Sequence, residues 1–260
     1  LAEFLCKFKL EISNRLPYLF LTMKNHRSLL ITGTDTDAGK TVLTTALAAY
    51  WQKVYPQSSL GIIKPIQSGI GDRELIARLF DLDKLDQSFE ELNPIYFSAP
   101  LAPPLAAEQE NASINLSAAW QAFSALRERK SFVLVEALGG LGSPITRELA
   151  VADLARDWRL PTVLVVPVKL GAIGQAIANV ALARQAAVNL KGIILNCVEP
   201  CSDREIAQWA PQDLIESLTK VPVCGVIPHL NALNARGLNA REDMEQLVAV
   251  AANLDLEYLL

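Results

Sequence analysis

The chain of 260 residues carries 24 lysines and arginines against 28 aspartates and glutamates, a net charge of −4, with 51% hydrophobic, 20% charged and 7% aromatic residues. Length and apolar content suffice for a large core, in one α/β domain or two smaller ones, and one is expected. An acidic balance without a Lys/Arg block argues against sequence-independent nucleic-acid binding and against anionic membrane surfaces, which leaves a small-molecule enzyme as the expected class.

Residues 1–22 hold four aromatics, Phe4, Phe8, Tyr18 and Phe20, of the 17 in the chain (eight Phe, four Trp, five Tyr), and precede Met23. The functional domain is expected to run from Met23 to residue 260, with residues 1–22 an N-terminal extension or an amphipathic helix docked on it. Glu3, Glu11 and scattered lysines interrupt any apolar signal core, so the cytoplasm is the expected compartment.

Leu29 to Thr32 reads as the first strand and Thr41 to Val54 as the first helix. Between them lies Gly33-Thr-Asp-Thr-Asp-Ala-Gly39-Lys40-Thr41, a G-x-x-x-x-G-K-[ST] phosphate-binding loop in its proper strand-to-helix setting. Its glycines let backbone N–H groups face an anion, Lys40 reaches the β- and γ-phosphates, and the Thr41 hydroxyl can bind Mg²⁺. The next strand, Leu60 to Lys64, ends in Lys64-Pro65-Ile66-Gln67-Ser68-Gly69. Lys64 is either a second positive charge at the same crevice or a lysine reaching solvent. Asp72, just before a helix at Glu74 to Phe80, is either a helix cap or a metal ligand. Asn93 to Glu108, with Pro94, Pro100, Pro103 and Pro104, reads as a long irregular loop of functional or mobile character.

A helix at Leu116 to Arg129 leads into the strand Phe132 to Glu136, followed by Gly139 and Gly140. A carboxylate closing a buried strand needs a partner, so Glu136 is the leading candidate for the acid that holds the metal of a P-loop enzyme. A helix at Glu148 to Trp158 and a strand at Thr162 to Val168 come next. The apolar stretch from Pro161 to Ala183 is broken by Pro167, Lys169 and two glycines, and reads as strand, loop and helix rather than a membrane span. Lys169-Leu-Gly171-Ala172-Ile173-Gly174 opens a helix running to Asn189, either a plain turn or a carboxylate site made of free N–H groups. The strand Gly192 to Asn196, a helix at Asp203 to Leu218, the strand Val223 to Ile227 and a helix at Arg241 to Asn253, capped by Asn239, complete the pattern. Asn196 and Pro228 could line a base pocket or serve ordinary turns. Four cysteines without short paired spacing and two histidines make a zinc site or a disulfide framework unexpected, and the thiols read as buried and reduced.

Strands alternating with helices, each strand almost wholly apolar, give an α/β fold: a single doubly wound, mostly parallel sheet flanked by helices, of the P-loop NTPase type.

As a set, these motifs resemble the dethiobiotin synthetases. The residues that carry the likeness are Gly33-Thr-Asp-Thr with Gly39-Lys-Thr, Lys64-Pro-Ile with Ser68-Gly69, Asn93-Pro94 with Phe97 and Pro100, Glu136 with Gly139-Gly140, Val168-Lys-Leu-Gly171, Asn196, and Gly225 with Ile227-Pro228. The resemblance implies a homodimer, with its active site at the subunit interface, that closes a cyclic urea from 7,8-diaminononanoate and CO₂ using ATP and Mg²⁺. It would make Gly33, Thr36, Asp37, Ala38, Gly39, Lys40 and Thr41 the phosphate-loop contacts of ATP, with Asn196 and Pro228 receiving adenine. Thr41, Asp72 and Glu136 would hold Mg²⁺, with Glu136 also beside the ATP. Lys40 and Lys64 would act on the transferred phosphoryl group and the carbamate, and Thr36 and Ser68 would touch the reacting end of the substrate. Gly171, Ala172, Ile173 and Gly174 would present N–H groups to the substrate carboxylate across the interface. The chain departs from the family at Ala137-Leu138, where Gly-Ala is usual, and at Asp37, where Glu is common. A cobyrinate-amidase-like ligase and a nucleotide-switched, partner-binding ATPase of the partition or positioning kind are the alternatives. The first usually carries a glutaminase domain and the second an additional early lysine in the loop, neither of which is found here.

Overall fold

The computed structural model describes residues 28–230 and 240–260. Residues 1–22, expected as an extension, and Asn239, expected as a cap, lie outside the described residues.

Six strands form one parallel sheet in the order β2-β5-β1-β6-β7-β8: β1 (Ser28–Gly33), β2 (Leu60–Ile63), β5 (Phe132–Gly140), β6 (Thr162–Pro167), β7 (Leu190–Asn196) and β8 (Val223–Ile227). After β1 the chain winds to one side and, from β6 onward, to the other, so the crevice beside β1 is the switch point where such sheets bind ligands. Strands with helices on both faces have no solvent side, and β1 and β6 accordingly consist wholly of buried residues.

On one face α1 (Lys40–Val54) lies between the sheet and α10 (Ala240–Ala252). Its Leu43, Ala46, Leu47 and Tyr50 pack with Leu247, Val250 and Ala251. Being covered on two sides, α1 buries an unbroken run from Leu43 to Trp51. Its buried Thr44 and Thr45 hydroxyls donate to the carbonyls of Lys40 and Thr41 at 2.9 and 2.7 Å, which removes the cost of burying them. The opposite face is covered by α5 (Leu116–Arg129), α6 (Val151–Asp157), α7 (Ala172–Gln185) and α9 (Gln212–Thr219). No helix among the described residues is long and apolar enough to cross a membrane.

Four expectations are corrected. The segment from Asn93 to Glu108 is no irregular loop: β4 (Ile95–Phe97) pairs in parallel with β3 (Ile66–Ser68), and α4 (Pro103–Gln109) starts with two prolines at its first turn, where their missing N–H groups are no loss. The helix expected over Asp203 to Leu218 is two, α8 (Asp203–Trp209) and α9, because Pro211 cannot donate and its ring clashes with the preceding turn. Helix α6 starts at Val151 rather than Glu148, after Pro144 and Ala150 form an antiparallel bridge. Finally, β5 continues four residues beyond Glu136 to Gly140. The short α2 (Asp72–Leu79), α3 (Phe89–Leu92) and α11 (Leu256–Leu259) complete the elements of the described residues.

Candidate active site

The carboxyl ends of β1, β2, β5 and β7 converge on a cavity of about 630 Å³, a volume suited to a small molecule. Its lining includes Thr36, Asp37, Gly39, Lys40, Thr41, Lys64, Ser68, Asp72, Asn196 and Pro228. Gly33 and Ala38 of the loop, and Glu136, are buried and are not part of the lining. Gly171, Ala172, Ile173 and Gly174 are not part of this lining.

The loop after β1 is built to present backbone donors. Gly39 has φ +93°, a left-handed turn that glycine enters without strain, and α1 starts at the next residue. The N–H groups of Asp37, Ala38 and Gly39 have no hydrogen-bond partner among the described residues. Those of Lys40 and Thr41 belong to the first helical turn, which has none of its own. Five consecutive donors with a helix N-terminus behind them make an anion cradle. Lys40 folds over it with Nζ 3.1 Å from the Asp35 carbonyl. Burial first, then the nearby Lys64, holds the Lys40 ammonium below the usual lysine range, a cost that an anion in the cradle would offset.

Close approach of β5 to this loop depends on Gly140. A Cβ there would stand 2.8 Å from the Thr34 carbonyl carbon and oxygen and 2.9 Å from the Gly33 oxygen. The Gly140 N–H is held by Ser143 Oγ at 2.8 Å. The departure at Ala137-Leu138 leaves this approach intact: Ala137 is buried and Leu138 lines the cavity.

Beside the cradle sits a cluster of charges. Lys64, 2% exposed, places Nζ 2.7 Å from Asp72 Oδ2 and 2.8 Å from Glu136 Oε1. Burial is the largest influence on Lys64 and pulls its pKa down, but Glu136 and Asp72 together overcome it and hold the ammonium above the ordinary lysine value. The Asp72 carboxyl is also opposed by burial, and Lys64 nevertheless holds it below the usual range. Lys64 therefore faces the carboxylates and not solvent.

Thr41 Oγ1 lies 2.9 Å from both Asp72 Oδ1 and Glu136 Oε1. A hydroxyl has one proton to donate, so one of those two contacts sets oxygen against oxygen. Glu136 is fully buried, and its Oε2 has no partner among the described residues. Three oxygen-bearing side chains, with more acceptors than protons to share among them, suit a hard divalent cation such as Mg²⁺. Among the described residues no group of three or more His, Cys, Asp or Glu is placed to hold a metal.

Sequence reasoning missed the support beneath Asp72. Buried Gln67 accepts from the Arg73 N–H at 2.9 Å and donates to the Gly69 carbonyl and to Glu74 Oε2, tying the start of α2 to β3. Arg73 lies over the Tyr96 ring, 3.3 Å from its centroid, and donates to Asn93 Oδ1. The segment from Pro100 to Pro103 forms one wall of the cavity. Ser68 Oγ is buried without a partner among the described residues.

An AAA domain family model matches residues 27–236. Curated relatives named ATP-dependent dethiobiotin synthetase are 54% identical in Gloeothece citriformis, over 90% of this chain and 98% of the relative, and 55% identical in Crocosphaera subtropica, over 89% and 99%. A further relative of the same name in Synechocystis is 47% identical over 90% of this chain and 95% of its own length. Among solved structures, a ParA family ATPase from Chlorobium tepidum superposes with a TM-score of 0.53 at 13% identity, covering 90% of this chain and 96% of the other. The MinC:MinD cell division protein complex of Aquifex aeolicus gives 0.54 at 16%, covering 90% and 94%. At such identities these two share the fold alone, a parallel sheet of the P-loop type. With half its residues identical to relatives that it spans almost end to end, the chain belongs to the ATP-dependent dethiobiotin synthetase family.

Proposed function

We propose that this chain closes the cyclic urea of dethiobiotin from 7,8-diaminononanoate and CO₂, at the expense of ATP, releasing ADP and phosphate. The observation that carries the reading is the meeting, at one cavity, of a backbone anion cradle with Lys64, Thr41 and Asp72, the fully buried Glu136 being joined to them from behind through Lys64 and Thr41.

In this reading the N–H groups of residues 37–41 and Lys40 grip the phosphates, Gly33 and Thr36 shape the loop, and Asn196 and Pro228 border the base. Thr41, Asp72 and Glu136 would hold Mg²⁺, which supplies neutralisation of phosphate charge when bound. One substrate amine adds to CO₂ and loses a proton, giving a carbamate. A carbamate oxygen attacks the γ-phosphorus and ADP leaves. The second amine then attacks the carbonyl of the resulting mixed anhydride and expels phosphate, closing the ring. Lys64 stands where the carbamate and the moving phosphoryl group would gather negative charge, and Ser68 Oγ, unpartnered, is a donor for the same end. Positioning and charge neutralisation, rather than proton abstraction by a histidine, do the chemistry.

The substrate carboxylate is assigned to Gly171–Gly174 of a second subunit. The N–H groups of Gly171, Ile173 and Gly174 have no partner among the described residues, whereas that of Ala172 already donates to the Lys169 carbonyl. Ile70 and Leu170, each 85% exposed, border Ser68-Gly69 and Gly171, and a second copy would cover them.

A phosphate-release assay tests the reading. Release that requires both the diamine and bicarbonate is expected. Release indifferent to both, but stimulated by DNA, membrane or a protein partner, would overturn it.

A further inference from the structure

Asn196 ends β7 and is locked there, its own carbonyl accepting from the Val168 N–H at 2.8 Å and the next N–H, of Cys197, donating to the Ile227 carbonyl at 2.9 Å. Its side chain, 3% exposed, reaches across to the phosphate loop: Nδ2 donates to the Ala38 carbonyl at 2.9 Å. The contact is close enough that a Cβ built on Gly39 would stand 1.9 Å from that nitrogen. Asn196 Oδ1 has no hydrogen-bond partner among the described residues, and the residue lines the cavity beside Cys197 and Pro228. One rigidly held amide thus touches the loop backbone at its left-handed turn while bordering the end of the cavity assigned to the base.

We propose that Asn196 is a positioning residue for the phosphate loop, and that its amide sets the direction of the Gly39 N–H. In a trans peptide plane the carbonyl of one residue and the N–H of the next point in opposite directions. Pinning the Ala38 carbonyl against β7 therefore holds the Gly39 N–H on the other side, among the free donors of the cradle. Gly39 has to be glycine for two reasons, its φ and the amide packed on it. The base and the phosphate loop are then engaged by the two polar atoms of one amide, so a base that engages Oδ1 steadies the cradle. This inference rests on the nucleotide reading above.

Inorganic tripolyphosphate separates the two roles, because it offers phosphates and no base. Its affinity and that of ATP, both with Mg²⁺, are measured by calorimetry on the full chain and on Asn196→Ala and Asn196→Asp. Asn196→Ala is expected to weaken tripolyphosphate about fivefold, the scale of one lost hydrogen bond. Asn196→Asp is expected to weaken it further, since a carboxylate oxygen would face the Ala38 carbonyl. ATP loses at least as much in both. Unchanged tripolyphosphate affinity with weakened ATP would overturn the proposal and leave Asn196 a base contact only. Amide hydrogen exchange distinguishes positioning from general loosening: residues 35–41 are expected to exchange faster in Asn196→Ala while β1 and β6 keep wild-type rates, and faster exchange throughout the sheet would overturn it. If Asn196→Asp does not fold, Asn196→Ala decides the matter alone. A wild-type chain that binds neither ligand would refute the nucleotide reading itself, and this inference with it.

Discussion

Lys64 and Glu136 are 2% and 0% exposed, and neither could be buried alone. Each satisfies the other at 2.8 Å, and Asp72 balances the remaining charge. Removing one member leaves a buried charge without its partner, which costs about 3–5 kcal/mol. Lys64→Met, which keeps most of the volume, is therefore expected to lower the unfolding free energy by about that amount in urea titration, and to lower turnover roughly 10²-fold or more, the scale of one well-placed donor. The destabilisation has a pH window. The raised Lys64 pKa gives stability that is complete below about 10.4 and fades as pH rises through the folded value. The lowered Asp72 pKa gives stability present above about 3.9 and lost as pH falls through its folded value. The difference in stability between wild type and Lys64→Met should form a plateau between those limits. The apolar run ending at Lys64 makes its position at a strand end legible in the sequence. Its orientation is not legible, because the carboxylate that turns it inward arrives 72 residues later in the chain.

At the scale of elements, the phosphate loop was readable because its glycines, lysine and threonine sit at fixed offsets between a strand and a helix. The wall opposite was not. Strands β3 and β4 have three residues each, too few for any periodicity to show, and they form by pairing with each other while Ile66, Ile95 and Phe97 pack into the core. The prolines of the 93–108 segment suggest a loop by local rules, yet two of them start α4, and Pro100 and Pro103 face the cavity. The end of β5 shows how close packing positions the site. Gly140→Ala would drive a methyl group into the Gly33 and Thr34 backbone, which cannot move without opening the cradle. A stability loss of about 1–3 kcal/mol by thermal unfolding, together with weaker ATP binding, is expected. Gly142→Ala, two residues away, meets only Leu182 Cδ2 at 3.6 Å and should leave both unchanged.

At the scale of the molecule, alternation of apolar strands with helices is enough to specify a parallel sheet covered on both faces, and the sheet then fixes where a ligand must sit. Two of the cysteines follow the same layering, whereas Cys201, expected to be buried, is only half-buried and Cys6 lies outside the described residues. Cys197 and Cys224 are buried, and burial is the main cause that pushes both thiols up to about 12. Neither should form appreciable thiolate at pH 8, so iodoacetamide is expected to leave both unmodified in the folded chain and to label them in urea, as read by peptide mass spectrometry. A shared layering does not decide chemistry: at 13–16% identity the fold is common to a ParA family ATPase and a MinC:MinD cell division protein complex. What separates this chain from them is the reaction proposed for Lys64 and the cluster around Thr41. The most direct measurement is the mass of the product formed from the diamine, ATP, Mg²⁺ and carbon-13 bicarbonate. A product heavier than the diamine by one carbon dioxide less one water, and carrying the labelled carbon, is expected of urea closure. ATP hydrolysis that leaves the diamine at its original mass would contradict it.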